Sequence, residues 1–305
     1  MAVAIAKFEE SARLEEALGN FAEAHAALSY LAGQQARTGE VRSALATVRR
    51  AEHDMELAAD DGYPMEMAEL GNVDLLGGNL ASARRRFDRA REITAAGGGT
   101  PAYALGLYLG VLEREAGRPA EARKALLTVR ADSFLGLDVA SYLAMLDCEE
   151  GHPHDGLERL RATDATRSTA ALASQAFAEV AEARCALRAN DRATAERLAR
   201  TGLENARKSS AFNAQVQALL VLVELEAQGA EQGPAAAELR SVAELAARQG
   251  AKRSELDARL GLVTALARSD ARRARRDAAV LADEARALGF ARVERAARER
   301  LASRP

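Results

Sequence analysis

With 305 residues, a net charge of −3 and a pI near 6.0, the chain is neither basic enough to suggest a polyanion binder nor polar enough to stay unfolded. Hydrophobic residues make up 48% while aromatics make up 4% and Trp is absent, so the apolar content is mostly Ala, Leu and Val, which predicts an all-α protein of closely packed helices. Cys148 and Cys185 are too few and too far apart to read as a disulfide framework. The apolar start, Met1 to Ala6, is too short for a signal-peptide core or a membrane span, so the expected setting is the reducing cytoplasm, with no membrane association.

In chain order, residues 1–19 read as an N-terminal capping helix, with Phe8, Leu14 and Leu18 at helical spacing. Seven units of one pattern follow. Their small or apolar residues Ala32, Gly71, Gly110, Ala144, Ala183, Leu222 and Gly261 are spaced 39, 39, 34, 39, 39 and 39 apart, and a leucine usually precedes them. About two turns later comes a helix stop, at Gly39, Gly78, Gly117, Gly151, Asn190 and Gly229, residues that tolerate a left-handed backbone. Five residues on, a return helix opens a buried stripe with Ala44, Ala83, Ala122, Gly156 and Ala195. The stripe continues four residues further at Val48, Phe87, Leu126, Leu160 and Ala199, then at Ala51, Ala90, Val129, Thr163 and Gly202. The pattern is that of stacked antiparallel helical hairpins. Gly97 to Pro101 reads as a flexible connection between units and not as a domain boundary.

Later units diverge. The fifth carries Glu182 where leucine is expected, the sixth inserts residues around Glu231 to Pro234, and the seventh replaces its stop with Arg268, Ser269 and Asp270. Residues 290–303, with Phe290, Val293, Ala297 and Leu301, read as a C-terminal capping helix.

This pattern resembles the tetratricopeptide repeat, most clearly at Leu70, Gly71, Gly78, Asn79, Ala83, Phe87 and Ala90, and the resemblance spans residues 22–288. Family repeats are typically about 34 residues long. The longer period here is similar to that of arrays attached to bacterial signalling proteins. The resemblance implies a single α-α superhelix, a right-handed solenoid of about seven hairpins over 1–305, whose first helices line a concave groove for a peptide or a partner subunit.

Groove positions one residue after each small residue, and a turn to either side, include Asn72, Leu75, Leu107, Val111, Arg114, Ser141, Met145, Arg184 and Glu226. So apolar a stripe either takes up a protein segment or is closed by tight coiling. Asn72, Arg114 and Arg184 are its polar exceptions, suited to a peptide backbone or carboxylate.

Cys148, His152 and His154 are the densest group of metal-ligand types, with Cys148 and His152 spaced for one helical face, but Gly151 and Pro153 mark a polar turn and no second ligand pair appears. His25 and His53 read as isolated packing or surface residues. Arg272, Arg273, Arg275 and Arg276 form a basic patch, with Asp277, Asp283 and Glu284 nearby as partners, so a solvated face is expected ahead of nucleic acid. No phosphate loop, nucleophile elbow or metalloprotease helix occurs. The expectation is a non-enzymatic scaffold without cofactors, binding a protein or peptide partner, with homo-oligomerisation open. The alternative is a ligand- or peptide-responsive module of a bacterial signalling system, coupled to a kinase or transcription factor.

Overall fold

The computed structural model describes residues 2–59, 62–96, 103–227 and 233–302. Among these every regular element is a helix. Along the first half run α1 (Ala2–Leu18), α2 (Phe21–Arg37), α3 (Val41–Ala58), α4 (Pro64–Leu76), α5 (Leu80–Ala95), α6 (Leu105–Glu115), α7 (Pro119–Leu126) and α8 (Gly136–Glu149). The second half holds α9 (Pro153–Arg161), the single turn α10 (Asp164–Arg167), α11 (Leu172–Arg188), α12 (Arg192–Ser209), α13 (Phe212–Ala227), α14 (Pro234–Gln249), α15 (Lys252–Ser269), α16 (Ala271–Leu288) and α17 (Ala291–Ala302).

Each of the seven small positions falls in the first helix of a packed pair: α2/α3, α4/α5, α6/α7, α8/α9, α11/α12, α13/α14 and α15/α16. First helices also pack on one another in succession, from α2 on α4 through α15 on α17. The small residue is needed because the large residue of the return stripe points straight at it. A Cβ added to Gly71 would lie 2.5 Å from Phe87, and one on Gly110 would lie 2.5 Å from Leu126, sixteen residues on in both cases. A knob and its hole are thus encoded within one hairpin.

The stops behave as their residue types require. Gly78 has φ +91°, and Asn79 N–H donates to the Asp74 carbonyl at 2.8 Å, closing a Schellman-type cap. Asn190, at φ +65°, occupies the corresponding place after α11. Gly229, the segment from Glu231 to Gly233 in part, and the Gly97 to Pro101 connection lie outside the described residues.

Several local expectations need correction. α7 has eight residues and α9 nine, so Val129 and Thr163 lie beyond the return helices they were expected to extend. The truncated α7 accounts for the short 34-residue interval, and the extra turn α10 follows the truncated α9. Glu182, standing where leucine was expected, accepts a 2.9 Å bond from Arg167 of α10. Asp270 replaces the glycine stop by capping the next helix, its side chain accepting from Arg273 N–H at 2.9 Å. α1 packs on α2 as an end helix, but α17 does more than cover α16 and α15, because it also touches α6.

That contact belongs to a set. α3 meets α14, α4 meets α15 and α6 meets α17, so the first three hairpins lie against the last ones. Gly39, Gly78 and Gly117, the turns of those hairpins, abut Phe212, Lys252 and Ala291, which stand at the starts of α13, α15 and α17. A Cβ on Gly39 would come within 2.7 Å of the Phe212 ring. The absence of a side chain here serves both the left-handed backbone and the approach of a distant helix.

The two cysteines are joined, against expectation. Cys148 of α8 and Cys185 of α11 form a disulfide with a Cα–Cα distance of 5.4 Å. Sequence separation misleads because consecutive first helices pack side by side, bringing residues 37 apart into contact. No helix among the described residues is long and apolar enough to cross a membrane.

Candidate functional site

The first helices enclose a string of cavities, and a buried ion cluster divides them. Glu115, the last residue of α6, is fully buried. Its carboxylate lies 3.1 Å from Arg114, 3.0 Å from Arg253 of α15 and 2.8 Å from Arg292 of α17. Burial alone would raise the Glu115 carboxyl, but Arg292, Arg253 and Arg114 outweigh it and hold it down at about 2. Arg292 also pairs with Asp257, which accepts a 2.7 Å bond from the Gln217 amide. Arg114 pairs in turn with Glu149.

On one side of this cluster is an apolar cavity of about 250 Å³. Asn72, Leu107, Val111, Tyr142, Phe177 and Phe212 line it, and Arg253 of the ion cluster shares its wall. Arg37, Tyr108 and Asp138 are shared with an outer cavity of about 680 Å³. There Arg37 donates at 2.8 Å to both Glu69 and the Tyr108 hydroxyl, and Tyr108 donates to Glu69 at 2.8 Å. Burial raises the Asp138 carboxyl, and the Ser174 hydroxyl donates to it at 2.8 Å. Tyr103 and Phe134 meet edge to face at this mouth, 5.0 Å between centroids, with Phe134 70% exposed.

On the other side of the cluster is a polar cavity of about 690 Å³ between α8, α11, α13, α15 and α17. Leu146, Gln217, Val223 and Asp257 form its buried floor, and Arg188, Arg295 and Arg300 its exposed rim.

The expected groove residues are therefore distributed differently from a single open stripe. Asn72, Leu107 and Val111 share the apolar cavity. Leu75, Ser141 and Met145 are buried by packing, and the Ser141 hydroxyl donates to the Leu137 carbonyl of its own helix. Arg114, 4% exposed, is engaged by Glu115 and Glu149 and is not a free groove cation. Arg184 lines the polar cavity. Glu226 lies elsewhere: it faces a recess between α12, α13 and α14 and accepts a 3.0 Å bond from Ala235 N–H. The apolar positions of the stripe are buried among the chain's own helices.

Sequence reasoning missed Glu115, Gln217, Arg253, Asp257 and Arg292. One signal was present. Asp257 stands four residues before Gly261 on the same helix face, a carboxylate within the buried stripe.

The remaining candidates separate cleanly. Cys148 and His152 do not share a helix face, since α8 ends at Glu149 and the left-handed Gly151 turns the chain before His152. The Cys148 sulfur is bonded to Cys185, whereas His152 and His154 are exposed, so the three do not converge. His25 is not an isolated packing residue: it is fully buried, with Nε2 2.7 Å from Glu66, whose carboxylate also accepts from Tyr63 N–H and caps α4. His53 is exposed. Arg272, Arg273, Arg275 and Arg276 are exposed on the first turns of α16, where Arg273 lies 3.6 Å from Asp277.

Comparison with protein-family models and with curated proteins finds no match to this chain.

Proposed function

We propose that the chain is a non-catalytic, ligand-responsive binding module built as a tetratricopeptide-like superhelix, with its sites in the axial cavities. The observation that carries this reading is the Glu115 cluster, in which α6 holds α15 and α17 with polar space on one side and apolar space on the other. A molecule bound in the apolar space touches α2, α4 and α15, from both ends of the chain, and one bound in the polar space bridges α8 and α11 to α15 and α17. It therefore favours one curvature over another by differential contact. Such a module passes its state to an effector that binds its outer surface, which fits the expected coupling to a bacterial signalling partner. A reading without catalysis is supported by the cluster itself, whose charges neutralise one another and are not poised toward a reacting group.

The test is a thermal-shift screen of organic anions, neutral metabolites and short peptides, followed by small-angle scattering on each hit. A ligand that raises the melting temperature and changes the radius of gyration supports the reading. Stabilising ligands that leave the radius unchanged count against it.

A second reading, a scaffold for a peptide or partner subunit, is favoured by the Tyr103 and Phe134 pair at the outer mouth. Exposed aromatics in contact are characteristic anchors of protein interfaces. Substituting both by Ser would abolish peptide capture while leaving small-molecule hits in the polar cavity intact.

A further inference from the structure

Arginines and carboxylates line the polar cavity in equal number, and its buried and half-buried carboxylates are already engaged. Glu149 is held by Arg114 and Glu150 by Arg123, and neither arginine lines the cavity. Asp257 is taken by Arg292, which itself serves Glu115. Glu224 lies 3.6 Å from Arg188. Below the exposed rim of Arg295, Glu299 and Arg300, the wall's underused charge is Arg184. Its Nη2 donates to the Gln217 carbonyl oxygen at 3.2 Å, and its Nε is buried without a hydrogen-bond partner. A guanidinium has five N–H donors in a planar fork, so one neutral acceptor leaves most of it unused. Burial pulls Arg184 below the ordinary arginine range, and Glu149 and Glu224 offset this only in part.

The surroundings of Arg184 specify more than charge. Leu146, Leu220, Val223 and Leu260 give the same cavity an apolar wall, and Thr264 stands beside Leu260 on α15. Arg295 and Arg300 on α17 are exposed at the rim, with Glu299 beside them. A volume of about 690 Å³ suits a small organic molecule and is narrow for a folded segment.

From this geometry we infer that the cavity between α8, α11, α13, α15 and α17 is a binding site for a small amphiphilic organic anion, its acid group on Arg184 and its apolar body against Leu220, Val223 and Leu260. The inference rests on the ligand-responsive reading above and names the chemical class of that ligand. A carboxylate accepts two parallel N–H bonds from the guanidinium fork, and a phosphate monoester offers the same face with more charge. The rim arginines raise the local concentration of either.

The test uses the full chain and 8-anilinonaphthalene-1-sulfonate, an amphiphilic anion whose fluorescence rises on binding. A saturable one-to-one signal is expected, displaced by octanoate or octyl phosphate and not by octan-1-ol, with the more effective competitor identifying the acid group. Arg184→Gln should weaken binding at least about tenfold, the loss of a charge-assisted hydrogen bond. Thr264→Glu places a carboxylate in the wall on a helix that tolerates it, and should weaken binding similarly even where Arg184→Gln lowers stability. Melting curves on both variants separate loss of the site from loss of the fold. Affinity unchanged in Thr264→Glu, or octan-1-ol competing as well as octanoate, overturns the inference. Scattering on the same samples separates the two levels. Anion binding that needs Arg184 but leaves the radius unaltered sinks the ligand-responsive reading alone, whereas a radius change driven by neutral ligands sinks the anion site alone.

Discussion

The Glu115 carboxylate lies 3.0 Å from the guanidinium of Arg253, 138 residues further along the chain, and both side chains are almost wholly shielded from water. One acidic residue thereby clasps two distant parts of the molecule. Removing it leaves Arg253 without its ion-pair partner, and Arg114 and Arg292 with only Glu149 and Asp257, in a low-dielectric interior where an uncompensated charge is costly. Glu115→Gln is expected to lower unfolding stability by about 3–5 kcal/mol, measured by urea denaturation. A loss under about 1 kcal/mol would show that the cluster is hydrated and weak.

The same residue sets an acid limit. Its folded pKa of about 2 lies below the ordinary glutamate value of 4.5, so the group stabilises the fold fully above about pH 4.5. That stability is lost progressively as pH falls from about 4.5 toward 2, because the unfolded chain takes up the proton first. The shift corresponds to about 3 kcal/mol. Melting temperature recorded between pH 6 and pH 2 should fall through this window, and the Glu115→Gln variant should show a shallower fall.

Gly71 and Phe87 provide a packing test. Gly71→Ala puts a methyl group into the Phe87 ring, and overpacking of this kind costs about 1–3 kcal/mol despite the better helix propensity of alanine. Phe87→Leu in the same background should recover part of the loss. A thermodynamic cycle over the four proteins, by chemical denaturation, measures the coupling, and additive effects would refute the knob-and-hole assignment.

The Cys148–Cys185 bond closes a loop of 37 residues. In the chain-entropy treatment, such a crosslink stabilises by up to about 4 kcal/mol through restriction of the unfolded state. The double variant Cys148→Ser, Cys185→Ser should unfold at lower denaturant, and a thiol reductant should shift the parent protein toward the same midpoint. Mass spectrometry before and after reduction checks the bond directly.

Periodic features were legible because each is local. The 39-residue spacing, the glycine stops and the stripe led by Ala44, Ala83 and Ala122 depend on residues within one hairpin, where helical geometry fixes who faces whom. Shortening of α7 and α9 was less visible, since Val129 and Thr163 satisfy the apolar or small pattern while lying past the helix ends. The charged interior was hidden for a different reason. Arg114 looks like a groove cation until Glu115 finds Arg253 and Arg292, and no local rule states that residues 115, 253 and 292 share one point in space. The disulfide belongs to the same class, because its partners meet only through the side-by-side packing of α8 and α11.

The glycine turns at 39, 78 and 117, seated on the starts of α13, α15 and α17, change how such a chain should come apart. In an open row, each hairpin leans only on its immediate neighbours and the ends fray independently. Here the earliest hairpins cannot complete their surroundings until the last helices have been made, so terminal deletions should melt the opposite end as well, and denaturation should proceed as one cooperative event with slow, non-local assembly.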